Sequence, residues 1–278
     1  MQSELQLFQV DAFTATPFAG NPAAVCLVDA PLPEPLMMAI AAEMNLSETA
    51  FVQRLDDRPW AVSDRFALRW FTPTVEVPLC GHATLATAQA LFGEVGVIAD
   101  EIAFETRMSG TLTARREATG ITLNFPADPP EPWKPPAALL AALGIAAPRY
   151  VGRNPRTAKV LVRVDEVAKI VALAPDFAAL LAAAPIAQVR GVCVTAAGAP
   201  PYDFTSRYFA PWVGINEDPV TGSAHTVLAP YWAVELGQLD FFARQASARG
   251  GELRVRLLGE RVALTGAAVV VLRGTLTC

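Results

Sequence analysis

The stretch Leu68-Arg-Trp-Phe-Thr-Pro-Thr-Val-Glu-Val-Pro-Leu-Cys-Gly-His-Ala-Thr-Leu-Ala86 decides the reading of this chain, because its landmarks return in the second half. Arg69-Trp-Phe-Thr-Pro73 is matched by Arg207-Tyr-Phe-Ala-Pro211, and Cys80-Gly-His-Ala-Thr-Leu-Ala86 by Thr221-Gly-Ser-Ala-His-Thr-Val227. Each copy runs strand, R-aromatic-F-x-P, a loop with acid (Glu76 in one, Glu217 and Asp218 in the other), glycine, then an alanine-rich helix. Twelve residues separate Arg69 from Gly81 and fifteen separate Arg207 from Gly222. Self-similarity of this kind implies two halves related by pseudo-symmetry.

The repeat has a chemical consequence. A glycine opening a helix lets a ligand approach the backbone, and the first-turn N–H groups lack intrahelical partners and carry partial positive charge. Such a start suits an anion. Neither glycine motif fits a Walker loop or a dinucleotide fingerprint, so a carboxylate is expected rather than a nucleotide phosphate. Two such helices facing each other would clamp a small ligand between domains.

Composition narrows the classes. Of 278 residues 53% are hydrophobic and 18% charged, yet no run reaches the ~18 apolar residues of a span. The longest, Ile170 to Ala187, is interrupted by Pro175, Asp176 and Pro185. A net charge of −5 without a basic run argues against nucleic acid and anionic membranes. The start MQSELQLFQV has neither the basic nor the apolar region of a secretion signal. Cys26, Cys80, Cys193 and Cys278 are scattered without metal or redox spacing. The expectation is a cytoplasmic protein with no metal site.

Strands are expected over Leu5–Phe13, Ala23–Val28, Phe66–Phe71, Lys159–Val164, Val189–Thr195, Tyr202–Phe209, Leu253–Leu257 and Ala267–Leu272. Three more, Glu101–Thr106, Thr111–Arg115 and Ile121–Phe125, form a meander. Helices are expected over Pro33–Asn45, Gly81–Phe92 and Ser223–Leu236. Pro126 to Pro136, with six prolines in eleven residues, reads as a stiff interdomain linker. The halves are therefore residues 1–127, joined by the last strand 267–278, and residues 128–266.

The motifs resemble the PhzF-like family, within the diaminopimelate-epimerase-like superfamily. The likeness runs through Asp11–Val28 (DAFTATPFAGNPAAVCLV), Ala41–Val52 (AAEMNLSETAFV), Leu68–Ala86, Ser206–His225 (SRYFAPWVGINEDPVTGSAH), Arg249–Leu253 and the tail GAAVVVLRGTLT. It implies an α+β fold of two pseudo-symmetric domains, each a β-rich barrel-like sheet around a central helix. It also implies a homodimer and isomerase chemistry without a cofactor.

Site residues follow from both sources. Glu48, between a helix and an apolar strand, reads on spacing alone as a turn residue; the resemblance makes it the general acid/base. A carboxylate stripped of water has its pKa raised toward the working pH. Asp218 is either an acid at a helix start or, by resemblance, the second catalytic carboxylate, which orients the substrate and tunes Glu48, with Glu217 its neighbour and rival. His82 is a capping or core histidine, or by resemblance a site residue that assists Glu48. Ser223 is its counterpart, a cap or a substrate contact. His225 matches Thr84 and reads as structural. Asn21 is a turn former or a substrate contact.

Cys80 precedes a helix start, where a thiol is acidified. It stands where diaminopimelate epimerases carry one of two catalytic cysteines, but its partner position is Thr221, a poor second base. It is either a buried apolar residue or the base of a one-sided reaction. The reading is an isomerase acting by proton transfer on a small carboxylate-bearing metabolite held by the Gly81 and Gly222 helix starts. The alternatives are a Cys80-dependent epimerase or dehydratase of an amino or hydroxy acid, and a non-catalytic binding protein. The substrate is not legible, since fold and site type do not fix it.

Overall fold

The computed structural model describes residues 4–278. The chain divides into two units: the first runs to Asn124 and takes back Thr265–Cys278, and the second is Phe125–Leu264.

The first unit contains β1 (Glu4–Ala12), β2 (Asn21–Val28), α1 (Glu34–Met44), β3 (Glu48–Arg54), β4 (Arg65–Phe71), β5 (Glu76–Val77), α2 (Gly81–Gln89), β6 (Glu101–Thr106), β7 (Gly110–Glu117) and β8 (Gly120–Pro126). β2 pairs antiparallel with β1 and parallel with β3, with Ala23 opposite Glu48. β4 is antiparallel to β3 and to β5, and parallel to β6. β6, β7 and β8 form the antiparallel meander.

Alternation along these strands sends residues to two faces. One face carries Ala24, Cys26, Val28, Phe51 and Phe71 against Met37, Ile40 and Ala41 of α1. The other face receives α2, buried from His82 to Ala88. A helix enclosed on all sides needs no polar stripe, which is why an alanine-rich segment without amphipathic pattern serves here. α1 starts after Pro33, whose fixed φ suits a helix entry, and stops at Asn45, which takes the left-handed conformation (φ 50°). That stop turns the chain directly into Glu48. Beyond Gln89 the expected helix widens into a π turn, Ala90–Val95, before the left-handed Gly96.

The second unit contains β9 (Glu131–Pro132), α3 (Ala137–Leu143), β10 (Tyr150–Arg153), β11 (Lys159–Arg163), α4 (Val167–Val171), α5 (Phe177–Ala183), β12 (Gly191–Ala197), β13 (Phe204–Ala210), β14 (Ile215–Asp218), α6 (Gly222–Leu236), β15 (Asp240–Gln245), β16 (Gly251–Leu258) and β17 (Arg261–Gly266). The last strand, β18 (Ala268–Thr277), pairs with β1 and belongs to the first unit.

Its pairings repeat those of the first unit. β10–β11 is antiparallel, β11–β12 parallel and β12–β13 antiparallel. β13 pairs antiparallel with β14 and parallel with β15, and β15–β16 is antiparallel. So β10 to β16 follow the plan of β1 to β7, and α6 occupies the place of α2. One sheet face packs Val160, Val162, Val192, Val194 and Phe209 against α3, α4 and α5. α6 is buried along most of its length, with Trp232 stacked 5.6 Å from Phe204. No helix among the described residues is long and apolar enough to cross a membrane. The apolar stretch at Ile170–Ala187 instead holds α5, and Asp176 accepts the Ala179 N–H as its cap.

The proline-rich segment is more than a bridge. Pro126 closes β8, and Glu131–Pro132 is a short strand beside β10. Proline tolerates that place because an edge strand leaves some N–H groups without ladder partners. The segment also repairs α6: Pro230 inside that helix cannot donate to the Thr226 carbonyl, and the Asp128 N–H takes that carbonyl at 3.0 Å.

Candidate active site

The repeated R-aromatic-F motif fixes both loops that lead into the central helices. Arg69 donates Nε to Glu76 at 2.7 Å and a second nitrogen at 2.8 Å. Arg207 does the same to Glu217, both at 2.7 Å. Each guanidinium also lies over a phenylalanine ring two residues on, Phe71 at 5.0 Å and Phe209 at 4.9 Å. A bidentate fork stacked on a ring holds its geometry better than a single-point ion pair. Glu217 is thereby the counterpart of Glu76, committed to Arg207, while Asp218 is left at the helix entry.

In the first unit the fork delivers Cys80 as N-cap, then Gly81 and His82 in the first turn of α2. No side chain caps this helix start. Glu48 opens β3 on the α2 face, beside Ala23, and alternation along β2 sends Asn21 to that same face. Glu48 is 9% exposed, Cys80 6%, His82 4% and Asn21 fully buried. His82 Nε2 lies 3.3 Å from Glu48 Oε2, and its Nδ1 3.5 Å from Cys80 Sγ. The imidazole thus stands between a carboxylate and a thiol.

Burial pushes the His82 pKa down to about 3, so the ring is neutral at physiological pH. One ring nitrogen then donates and the other accepts. Nε2 is buried without an aligned hydrogen bond among the described residues, despite its nearness to Glu48.

Glu48, Cys80 and His82 each offer a metal-ligating atom within 4.8 Å of one another. The ring turns Nδ1 to the thiol and Nε2 to the carboxylate. The arrangement suits passage of a proton from one edge of the imidazole to the other.

In the second unit Asp218 ends β14 opposite Tyr208. Thr221 Oγ1 donates to Asp218 Oδ2 at 2.6 Å. Gln245, fully buried on β15, accepts the Thr221 N–H at 2.9 Å and donates to the Asp218 carbonyl at 2.7 Å. This clamp was invisible in the sequence, where Gln245 lies 24 residues from Thr221. Gly222 and half-buried Ser223 open α6, again without a side-chain cap.

His225 stands apart from this chemistry. Its Nδ1 donates to the Thr221 carbonyl at 2.9 Å, as Thr84 Oγ1 donates to the Cys80 carbonyl at 2.6 Å. Both residues secure the carbonyl of their helix's N-cap, so the sequence match of His225 with Thr84 has a physical basis. Burial holds the His225 pKa near 4.

Residues 10–274 match the family described as phenazine biosynthesis-like protein. An uncharacterized isomerase of Pseudomonas aeruginosa is 50% identical over 98% of this chain and 99% of its own. The phenazine biosynthesis-like domain-containing protein 1 of Mus musculus is 48% identical over 99% of each chain. The crystal structure of a PhzF-family protein from Enterococcus faecalis superposes with a TM-score of 0.90 at 38% identity, over 99% of both chains. A hydroxyproline epimerase from Agrobacterium vitis shares the fold alone, with a TM-score of 0.54 at 13% identity, over 99% of this chain and 92% of that one. The architecture is thus the α/β fold of PhzF proteins and epimerases, a class whose members include isomerases. Within it, the chain belongs to the phenazine biosynthesis-like (PhzF) family.

Proposed function

We propose that the chain is a cofactor-independent isomerase that moves a proton on a small carboxylate-bearing metabolite, with Glu48 as general acid/base. The observation that carries this reading is the buried Glu48 carboxylate 3.3 Å from a neutral His82. A carboxylate poorly hydrated in such a place is a competent base toward a C–H next to a carboxyl or carbonyl group. It returns the proton to a different carbon, which shifts a double bond without net oxidation. Neutral His82 is a hydrogen-bond donor to the oxygen on which charge develops, and stays neutral across the working pH range. Asp218 and Ser223 are read as substrate-binding residues, with Asn21 beside Glu48 and the Gly81 and Gly222 helix starts receiving carboxylate oxygens.

A second reading has one specific observation in its favour: Cys80 Sγ is 3.5 Å from His82 Nδ1, a place from which the thiol could give up its proton. In that reading Cys80 is the base and the reaction an epimerisation or dehydration. Incubation with metabolite extract in heavy water, read by mass spectrometry, tests both. The first reading expects compounds that gain deuterium with wild type and with Cys80→Ser but not with Glu48→Gln. Loss in Cys80→Ser with retention in Glu48→Gln supports the second. No deuterated compound with wild type contradicts both and leaves a binding protein. The proposal includes a cytoplasmic homodimer, checked by fractionation of the host cell and by analytical ultracentrifugation.

A further inference from the structure

The parallel between the units can be carried to single residues. Thr49 pairs with Phe71 in the first unit, and Val192 with Phe209 in the second. One residue earlier, Glu48 therefore corresponds to Gly191, and by the same register Trp70 corresponds to Tyr208. A side chain at Gly191 has no room: its Cβ would fall on the phenol oxygen of Tyr208. So β12 gives up a side chain where the first unit carries its base, and the Tyr208 hydroxyl fills that position.

Tyr208 is 7% exposed, and its hydroxyl makes no hydrogen bond among the described residues. Its cross-strand neighbours are Asp218 and Cys193, so its side chain shares their sheet face. Burial, with Asp218 and Cys193 adding to it, holds the phenol well above the ordinary tyrosine range. It is therefore protonated and able to donate at any working pH. Trp70, its counterpart, likewise has a buried indole N–H without a partner.

We propose that the Tyr208 hydroxyl is a substrate-contacting group of the Asp218 half-site, donating its hydrogen bond to an oxygen of a carboxylate-bearing ligand. This rests on the reading of Asp218 and Ser223 as substrate-binding residues, but not on proton transfer by Glu48. The half-site then offers a ligand a neutral donor in Tyr208, backbone N–H groups at Gly222 and Ser223, and an acceptor in Asp218. That set fits a carboxylate carrying a hydroxyl or amino group on the adjacent carbon.

The chain has four tyrosines, so the full-length protein labelled with [4-13C]tyrosine gives few resonances, and Tyr208→Phe assigns one. Acetate and glycolate are the probes, and the Gly222 and Ser223 amide signals report occupancy. The expected result is a saturable shift of the Tyr208 signal, larger with glycolate, and roughly tenfold weaker glycolate binding in Tyr208→Phe. Gly191→Ala, which displaces the phenol, should weaken binding as Tyr208→Phe does, with the melting curve showing that it folds. A Tyr208 signal that no probe moves, amide shifts without a tyrosine shift, or equal binding by Tyr208→Phe overturns the proposal. A tyrosine shift in a protein that deuterates no metabolite would instead overturn the isomerase reading and leave this one standing.

Discussion

The two units share a frame and differ where the chemistry lies. Arg69 and Arg207, Phe71 and Phe209, and Glu76 and Glu217 make the same fork and ring contact. Thr84 and His225 make the same bond to an N-cap carbonyl. These positions do mechanical work, and they match in geometry even where the residue differs. At the helix entries the pairs diverge: Glu48 against Gly191, Cys80 against Thr221, His82 against Ser223, Val77 against Asp218, and Trp70 against Tyr208. The first unit holds titratable groups in contact; the second holds hydrogen-bonding groups around one carboxylate. The comparison teaches that the two units share their support and differ at the helix entries, where the proposed function places proton transfer on Glu48 and substrate positioning on Asp218.

The largest effect that would break this division is at Glu48. Glu48→Gln should lower turnover by about 10³-fold, with the protein folded by circular dichroism. His82→Asn should cost about 10²-fold in turnover. Asp218→Asn should act differently, raising KM about tenfold with a smaller change in kcat, because it is assigned to binding. A large kcat effect there would mean that the second unit shares the acid–base work.

The support should respond in stability rather than chemistry. Arg207 and Glu217 are largely buried, at 12% and 20% side-chain exposure. Glu217→Gln should destabilise the protein by about 1–3 kcal/mol in urea unfolding, well above the effect of an exposed pair. Equal losses from Glu76→Gln would show that the two forks bear equally.

A pH effect on stability follows from the histidines. His82 and His225 are held near 3 and 4, below the unfolded value of about 6.5, so the unfolded chain binds protons that the folded one refuses. Stability is full above pH 6.5 and falls as pH drops toward those folded values, by on the order of 1 kcal/mol per histidine per pH unit. Urea midpoints at pH 7 and pH 5 should differ less in His225→Asn than in wild type. An unchanged difference would place the acid sensitivity elsewhere.

Much of the frame was legible because it rests on local rules. The RxF repeat, the glycines before α2 and α6, and the alternating strands all mark elements that formed. The short helices at Ala137–Leu143, Val167–Val171 and Phe177–Ala183 carry no such signal, since runs of five to seven residues are too short to show helical periodicity. Their boundaries were marked in part: Pro136 before and left-handed Gly144 after the first, and Asp176 capping the third. At the site, the sequence could mark Gly81 and Gly222 but not the approach of Glu48 to His82, which depends on the parallel pairing of β2 with β3. Gln245 and Tyr208 escaped for the same reason, because register across strands brings them to Thr221 and Gly191. The aromatic at the centre of each RxF repeat was the one available hint of Tyr208.

In the proposed function proton transfer belongs to Glu48 of the first unit, and Asp218 of the second unit positions the substrate. The most direct test is solvent-deuterium incorporation into one identified substrate, at saturating concentration, by Glu48→Gln and Asp218→Asn. Glu48→Gln is expected to abolish incorporation while Asp218→Asn retains most of the wild-type rate. Retained incorporation in Glu48→Gln, with loss in Asp218→Asn, would contradict it.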